Sequence, residues 1–113
     1  MAKSNKPIIW GLFAAGGTVT AFVMPVLVVL TLLAALGHAP ELLAYDKLHG
    51  FAAHWSGKAV LFGIIFLSLW HAAHRLRITL HDFGVRSDTL VAFMVYLAAA
   101  FGSVATAIYL LQI

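Results

Sequence analysis

The sequence of 113 residues contains no cysteine and has few charged residues of either sign. Without cysteine, the chain has no disulfide, no thiolate-held iron–sulfur cluster and no cysteine-ligated zinc of its own. Charged residues make up 10% of the sequence and hydrophobic residues 63%. That balance excludes a disordered chain and argues strongly against a soluble globule, so the composition indicates a membrane protein.

The few charged residues lie near the ends of hydrophobic runs, and none lies in the middle of one. A path for protons or ions across a bilayer usually needs charged residues at mid-depth, which makes this chain alone a poor candidate for a pump or carrier. The formal net charge of +3 therefore bears on orientation in the membrane rather than on nucleic-acid binding.

Three hydrophobic runs predict an all-α membrane protein with three transmembrane helices. The predicted spans are 10–36, 58–80 and 90–113, within a single membrane-anchor domain that covers 1–113. The first and third runs are long enough to cross the roughly 30 Å hydrocarbon layer. The second run is short between Lys58 and Arg75, and we expect these two side chains to extend to the interface and close the gap.

Polar segments on either side of the second run predict how that span begins and ends. A helical spacing of i, i+3, i+4 and i+7 relates Leu48, Phe51, Ala52 and Trp55. This pattern predicts a short amphipathic helix that lies at the interface or leads into the second span. Gly84 follows the second span at the position of a C-terminal glycine cap.

Small residues give the first span a flat face. Gly16 with Thr20, and Gly17 with Ala21, are small pairs one helical turn apart, which let another helix approach closely in lipid. That helix could belong to a partner protein or to this chain's own bundle. Pro25 removes one backbone donor within the same span and predicts a bend.

The distribution of lysine and arginine predicts the orientation of the chain. The cations nearest the spans are Lys3 and Lys6 before the first, Lys47 and Lys58 between the first and second, and Arg75, Arg77 and Arg86 between the second and third. The last connection is the most basic and shares a side with the N-terminus. The positive-inside rule therefore places both in the cytoplasm and the C-terminus in the periplasm. Trp10 then lies at the same depth and on the same side as His74 and Arg75.

The second span runs directly into a cluster of histidine and arginine. Helical spacing places four residues on one stripe, namely His71, His74, Ile78 and His81. Arg75 lies beside this stripe, and Arg77 points largely away. An imidazole can carry a proton near neutral pH and a guanidinium is a fixed cation, so the pair suits an acidic or redox-active headgroup. Simple contact with lipid phosphates is the alternative, which we favour for Arg77 and Arg86.

The order and spacing of several short motifs resemble the D-subunit of bacterial fumarate reductase, a small hydrophobic anchor, over nearly the whole chain. The matching residues are Trp10-Gly11-Leu12-Phe13 with Gly16-Gly17 and Pro25, Gly57-Lys58, Trp70, His74-Arg75 and His81-Asp82. The resemblance implies a multi-pass, non-catalytic anchor in the bacterial inner membrane that serves anaerobic respiration. It also implies a second three-helix anchor (the C-subunit), an iron–sulfur subunit and a flavoprotein as partners, with the flavin and the iron–sulfur clusters held by those partners.

The resemblance further implies a quinone site where the anchors meet the iron–sulfur subunit, at which menaquinol gives up electrons for fumarate reduction. The family's quinone-contacting tryptophan corresponds to Trp10, and its His-Arg pair corresponds to His74 and Arg75. In this assignment the Trp10 indole N–H donates to a quinone oxygen. Arg75 stabilises an anionic form of the ring, and His74 shuttles the released proton.

Three other functions remain open from the sequence. His71 stands where the family usually has a small residue and could ligate haem b, as in related succinate dehydrogenase anchors, although fumarate reductases with two small anchors usually lack haem. A membrane metalloenzyme could use His71, His74, His81 and Asp82 as ligands, but the other two spans offer no histidine cluster to complete such a site. A small structural or assembly protein without a redox role is the third alternative.

Overall fold

The computed structural model describes residues 6–113, and these form helices joined by short connections without any β-strand. The elements in chain order are α1 (Lys6–Ala35), a 3-10 helix (Glu41–Leu43), α2 (Tyr45–Ala53), α3 (Trp55–Asp82) and α4 (Asp88–Gln112). The three long helices, α1, α3 and α4, are each long and apolar enough to cross a membrane. The prediction of an all-α membrane protein with three transmembrane helices is confirmed. Lys3, used in the orientation argument, lies outside the described residues.

The second long helix extends well beyond the apolar run that predicted it. α3 has 28 residues, which corresponds to about 42 Å of helix. It begins before Lys58 and continues past Arg75 to Asp82, because the histidine and arginine residues remain helical. The polar cluster therefore forms the last turns of a membrane-spanning helix and is held rigidly on it.

Glycines in the left-handed region end α1 and α3. Gly84 has φ 94°, a conformation in which a side chain on Cα would be strained. The Gly84 N–H donates to the His81 carbonyl at 3.0 Å, and the Val85 N–H donates to the Leu80 carbonyl at 3.0 Å. This is the Schellman pattern, so the predicted C-terminal glycine cap is confirmed. Gly37, with φ 82°, ends α1 in the same way.

The predicted short amphipathic helix is present as α2, although it ends sooner than its apolar spacing suggested. The helix is interrupted at His54, which has an extended backbone conformation. Its Nδ1 accepts a hydrogen bond from the Ser56 N–H at 3.3 Å and so caps α3. Trp55 therefore belongs to α3 rather than to α2. Gly57 is buried at this corner, and a Cβ added there would overlap the Phe51 carbonyl. The glycine allows α2 to fold back on the start of α3.

The helix α3 lies at the centre of the bundle. Among residues 6–113, α1 and α4 both pack along α3 and make at most marginal contact with each other. One pocket, described below, is lined by residues of all three of these helices. The buried core is small and lies between α3 and α4, where it consists of Ala73, Val95 and Ala99 with the Ser103 hydroxyl bonded to the Ala99 carbonyl.

Two glycines set the distance between α1 and α3. Gly16 is buried, and a Cβ added there would overlap the Leu67 carbonyl and lie 2.7 Å from the His71 Cβ. A Cβ on Gly17 would lie 3.0 Å from the His71 Cε1. The flat face predicted for the first span is therefore used inside this chain's own bundle, where it receives α3.

Replacing Gly16 by alanine should weaken the packing of α1 on α3. The new methyl group has backbone rather than a flexible side chain in its way, so we expect the free energy of unfolding to fall by about 1–3 kcal/mol. Titration of the purified chain with a denaturing detergent measures this. Gly11→Ala is the matched control, because nothing lies within 4 Å of its added Cβ. An equal effect of the two substitutions would contradict the role given to Gly16.

Candidate functional site

An unbroken series of rings joins the start of α1 to the last turns of α3. The rings of Phe13 and His71 stack with centroids 4.7 Å apart and planes inclined by 17°. The His74 ring meets the same phenyl ring edge-on at 4.6 Å, and the centroid of the Trp10 ring lies 5.2 Å from that of Phe13. Phe13 is thus the centre of the series, and the Gly16 contact places it there.

Two pockets open on either side of Phe13 and His74. The first, the Trp10 pocket, has a volume of about 260 Å³ and is lined by Lys6, Ile9, Trp10, Phe13 and His74. The second, the Tyr96 pocket, has a volume of about 240 Å³ and is lined by Ile9, Leu12, Phe13, Trp70, His74, Arg77 and Tyr96. Both pockets have apolar walls and share the imidazole of His74 as a polar group. A molecule bound in either pocket would therefore contact His74.

Of the three residues predicted to contact quinone, two line the Trp10 pocket and one does not. Trp10, which is 62% exposed, and the half-buried His74 line one pocket. Arg75 is exposed and lines neither of the two pockets, although it adjoins His74 in sequence. Arg77 instead lines the Tyr96 pocket. Trp10 and the arginine cluster lie at the same end of the bundle.

Arg77 has a partner within the chain, which the interpretation of it as a lipid-contacting residue did not predict. Its guanidinium forms a two-pronged ion pair with Asp88, with Nε donating to Oδ1 at 3.0 Å and Nη2 donating to Oδ2 at 2.6 Å. The reason is the short turn after α3, which brings the first residue of α4 opposite the last turns of α3. A carboxylate in the first turn of α4 is also favoured by the helix dipole. The pair fastens α3 to α4 at the site.

A polar chain leads from this ion pair to the pockets. Arg77 Nη1 donates to the Tyr96 hydroxyl at 3.3 Å, and that hydroxyl lies 2.9 Å from His74 Nδ1. The Tyr96 ring stacks on Trp70 at 5.8 Å. The Trp70 indole N–H is buried and has no hydrogen-bond partner among residues 6–113. We call the series Asp88, Arg77, Tyr96 and His74 the polar chain.

The three histidines of the predicted stripe lie in three different environments. His71 donates from Nδ1 to the Phe13 carbonyl at 3.2 Å and packs against α1. His81 and Asp82 are exposed at the end of α3. In the described part of the chain, no three histidine, aspartate or glutamate side chains come close enough to hold a metal ion. The stripe therefore contributes one histidine to packing and one to the pockets.

Sequence reasoning missed Phe13 as a wall of the site, and Tyr96 and Asp88 as members of the polar chain. Tyr96 is one of two phenols within an otherwise apolar run and the one nearer the basic cluster, and Asp88 is the acid that follows that cluster. Both were signals available in the sequence. Their partners depend on how α4 is rotated about its axis, which hydrophobic spacing does not specify.

Comparison with known proteins finds one family along nearly the whole chain. The family model for the fumarate reductase D-subunit matches residues 1–111. The fumarate reductase D-subunit of Shewanella sp. (strain W3-18-1) is 37% identical, with 98% of this chain and 93% of the relative covered. The proteins of the same name from Aliivibrio fischeri and Photobacterium profundum are 36% and 31% identical, and both comparisons cover 98% of this chain and 94% of the relative.

A double-mutant cycle on Arg77 and Asp88 should detect their coupling. Removing either partner with Arg77→Leu or Asp88→Asn leaves the other without its ion pair, and the pair is only partly exposed. We expect a coupling free energy of roughly 1 kcal/mol, measured as the non-additivity of the two single changes in unfolding free energy. Arg77→Lys should restore little of it, since a single ammonium cannot reproduce the two parallel bonds. Additive effects of the two single changes would contradict the ion pair.

Proposed function

The chain belongs to the D-subunit family of fumarate reductase and is a membrane-anchor subunit of that complex, and we propose that it helps form the site where menaquinol gives up electrons for fumarate reduction. The observation that carries this proposal is the Trp10 pocket. It joins an indole and an imidazole at one end of the bundle, between apolar walls. A flat apolar ring with polar oxygens requires walls and hydrogen-bonding groups of these kinds.

The proposed partners are a second three-helix anchor (the C-subunit), an iron–sulfur subunit and a flavoprotein. The absence of cysteine from the sequence means that iron–sulfur clusters would be held by a partner. Both outer helices expose large apolar side chains, such as Phe22 on α1 and Phe101 on α4. These faces suit lipid or the helices of a second anchor, and we place the assembly in the bacterial inner membrane.

The residues of the Trp10 pocket fit the group that the family implies. Bound menaquinol would supply two electrons and two protons. Trp10 would pack against the ring and offer its indole N–H to a ring oxygen. His74 would hydrogen-bond a ring oxygen through the nitrogen that Tyr96 does not contact. Arg75, exposed next to His74, would supply a fixed positive charge at the rim.

The orientation follows from the ends of the helices. Arg75, Arg77 and Arg86 lie at the same end of the bundle as Lys6, whereas the opposite end carries Lys47 and Lys58. The more basic end is the cytoplasmic one by the positive-inside rule. This orientation would place the Trp10 pocket on the side where the soluble subunits reduce fumarate.

Arg75→Leu should reduce menaquinol-dependent fumarate reduction by the purified complex about tenfold or more, because a fixed charge at the rim is lost. The rate with an artificial soluble electron donor, which bypasses the quinol, should be unchanged. Arg86→Leu makes the same substitution at an exposed cation outside both pockets and should leave both rates unchanged.

Two results would contradict this part of the proposal. Equal losses with both donors in Arg75→Leu would indicate failed assembly, as a purely structural anchor predicts. A normal quinol rate in Arg75→Leu would remove Arg75 from the site. The second outcome would leave the anchor role intact.

Single cysteines should report the orientation directly, since the natural sequence contains none to remove. Ala39→Cys lies in the exposed connection after α1, and Ser87→Cys lies in the exposed connection before α4. We expect a membrane-impermeant maleimide to label Ala39→Cys in right-side-out vesicles and Ser87→Cys in inside-out vesicles. The reverse pattern would place the Trp10 pocket on the periplasmic side and contradict the proposed arrangement of subunits.

A further inference from the structure

We infer that the hydroxyl of Tyr96 is a positioning group that holds His74 in one tautomer, with Nδ1 accepting and Nε2–H directed to the Trp10 pocket as a hydrogen-bond donor. This inference deepens the proposed function and rests on it. Its starting point is the 2.9 Å contact between the Tyr96 hydroxyl and His74 Nδ1, which joins α4 to α3 beside the Tyr96 pocket.

The Tyr96 hydroxyl is itself held in place from two sides. The phenol ring stacks on Trp70 with the planes inclined by 23°. The Arg77 guanidinium carbon lies 5.7 Å from the centre of the ring, and its Nη1 donates to the hydroxyl oxygen. Asp88 in turn fixes the guanidinium through two parallel bonds. Because each member is restrained by the next, the hydroxyl has little freedom to turn away from His74.

The donors and acceptors available on Arg77, Tyr96 and His74 decide the direction of the hydrogen bond between the Tyr96 hydroxyl and His74 Nδ1. A guanidinium has donors only, so Arg77 occupies a lone pair of the hydroxyl oxygen and leaves the hydroxyl hydrogen free. A bond received from a cation polarises the hydroxyl and makes its own hydrogen a better donor. His74 Nδ1 is the acceptor within reach of that hydrogen. Tyr96 therefore donates, and Nδ1 accepts.

The protonation state of His74 Nε2 follows from the role of Nδ1. A neutral imidazole carries one hydrogen, and when Nδ1 accepts a bond, that hydrogen is on Nε2. Nε2 lies on the side of the ring away from Tyr96, and it has no hydrogen-bond partner among the described residues. His74 lines the Trp10 pocket and Tyr96 does not, so Nε2 is the nitrogen that remains for a molecule bound in that pocket. His74 thus presents an N–H donor there.

This assignment changes the role of His74. The sequence suggested a proton shuttle, whereas a histidine held with Nε2 protonated cannot take a proton directly from a ring oxygen. It binds that oxygen as a donor instead. The donor would act beside the Trp10 indole N–H, so the pocket would offer two N–H groups to an oxygen-bearing ring.

Solution measurement of the tautomer tests the inference without turnover. We would label the complex with ¹⁵N-histidine and identify the His74 signals by their loss in His74→Gln. We expect a protonated Nε2 and an unprotonated Nδ1 in the wild type, and a mixture of tautomers in Tyr96→Phe. A protonated Nδ1 in the wild-type complex would overturn the inference, as would an identical His74 spectrum in Tyr96→Phe. The tautomer measured in the wild-type complex tests the inference even if a variant fails to assemble.

Kinetics supply the second test, with a water-soluble naphthoquinol as the probe. Tyr96→Phe keeps the ring that stacks on Trp70 and removes only the hydroxyl. We expect kcat/KM for the naphthoquinol, relative to the rate with an artificial donor, to fall about tenfold, which corresponds to about 1.4 kcal/mol. The change should add nothing in a His74→Gln background, because Tyr96 acts through His74. Tyr109→Phe, at an exposed phenol near the other end of α4, is the control.

The outcomes separate this inference from the proposed function. If His74→Gln reduces kcat/KM and Tyr96→Phe does not, the inference is overturned and the His74 contact stands. If Tyr96→Phe lowers kcat/KM further in the His74→Gln background, Tyr96 does not act through His74 and the inference is again overturned. If His74→Gln has no kinetic effect, the proposed contact of His74 with quinol fails.

Discussion

The close contact of α1 with α3 at Gly16 is the constraint on which the candidate site depends. The Leu67 carbonyl and the His71 Cβ lie opposite this glycine, so the two helices meet at a distance that no larger residue permits. Phe13 lies almost one turn away and is thereby brought between Trp10 and the two histidines. A lipid-facing helix with the same rings but without this contact would leave them dispersed along the bilayer surface.

The polar chain gives the site a second, different kind of constraint. Within the apolar part of a membrane, unpaired charges and hydroxyls are costly, and pairing them removes that cost. Arg77 donates hydrogen bonds to both Asp88 and Tyr96, and the Tyr96 hydroxyl is hydrogen-bonded to His74. The packing of α1 therefore positions the aromatic side of the site, while the ion pair at the start of α4 positions its polar side. Both constraints act on α3, which contacts each neighbour.

Much of the fold could be predicted from the sequence because hydrophobic runs and glycine caps are local signals. The three long helices, the amphipathic α2 and the cap at Gly84 are all of this kind. The pairing of side chains between helices was harder, since it depends on the rotation of each helix about its axis. Arg77 illustrates this limit: its position along α3 was predicted, but Asp88, its partner, lies across a turn whose direction the sequence pattern does not specify.

The candidate site shows the same division between local and long-range information. The placement of Trp10 and His74 at one end of the bundle could be derived from span order and charge distribution. The walls contributed by Phe13, and the contact between Tyr96 and His74, could not, because residues far apart in sequence meet there only after three helices have packed. His71 shows the converse, since a residue singled out for chemistry proves to fill the space beside two glycines.

No large side chain is fully buried in the described part of the chain, and its apolar surface points outward along both outer helices. The small core between α3 and α4 therefore leaves the outward faces of these helices to lipid and to neighbouring helices. A copy without its partners would have lipid alone against the faces that a second anchor would otherwise cover.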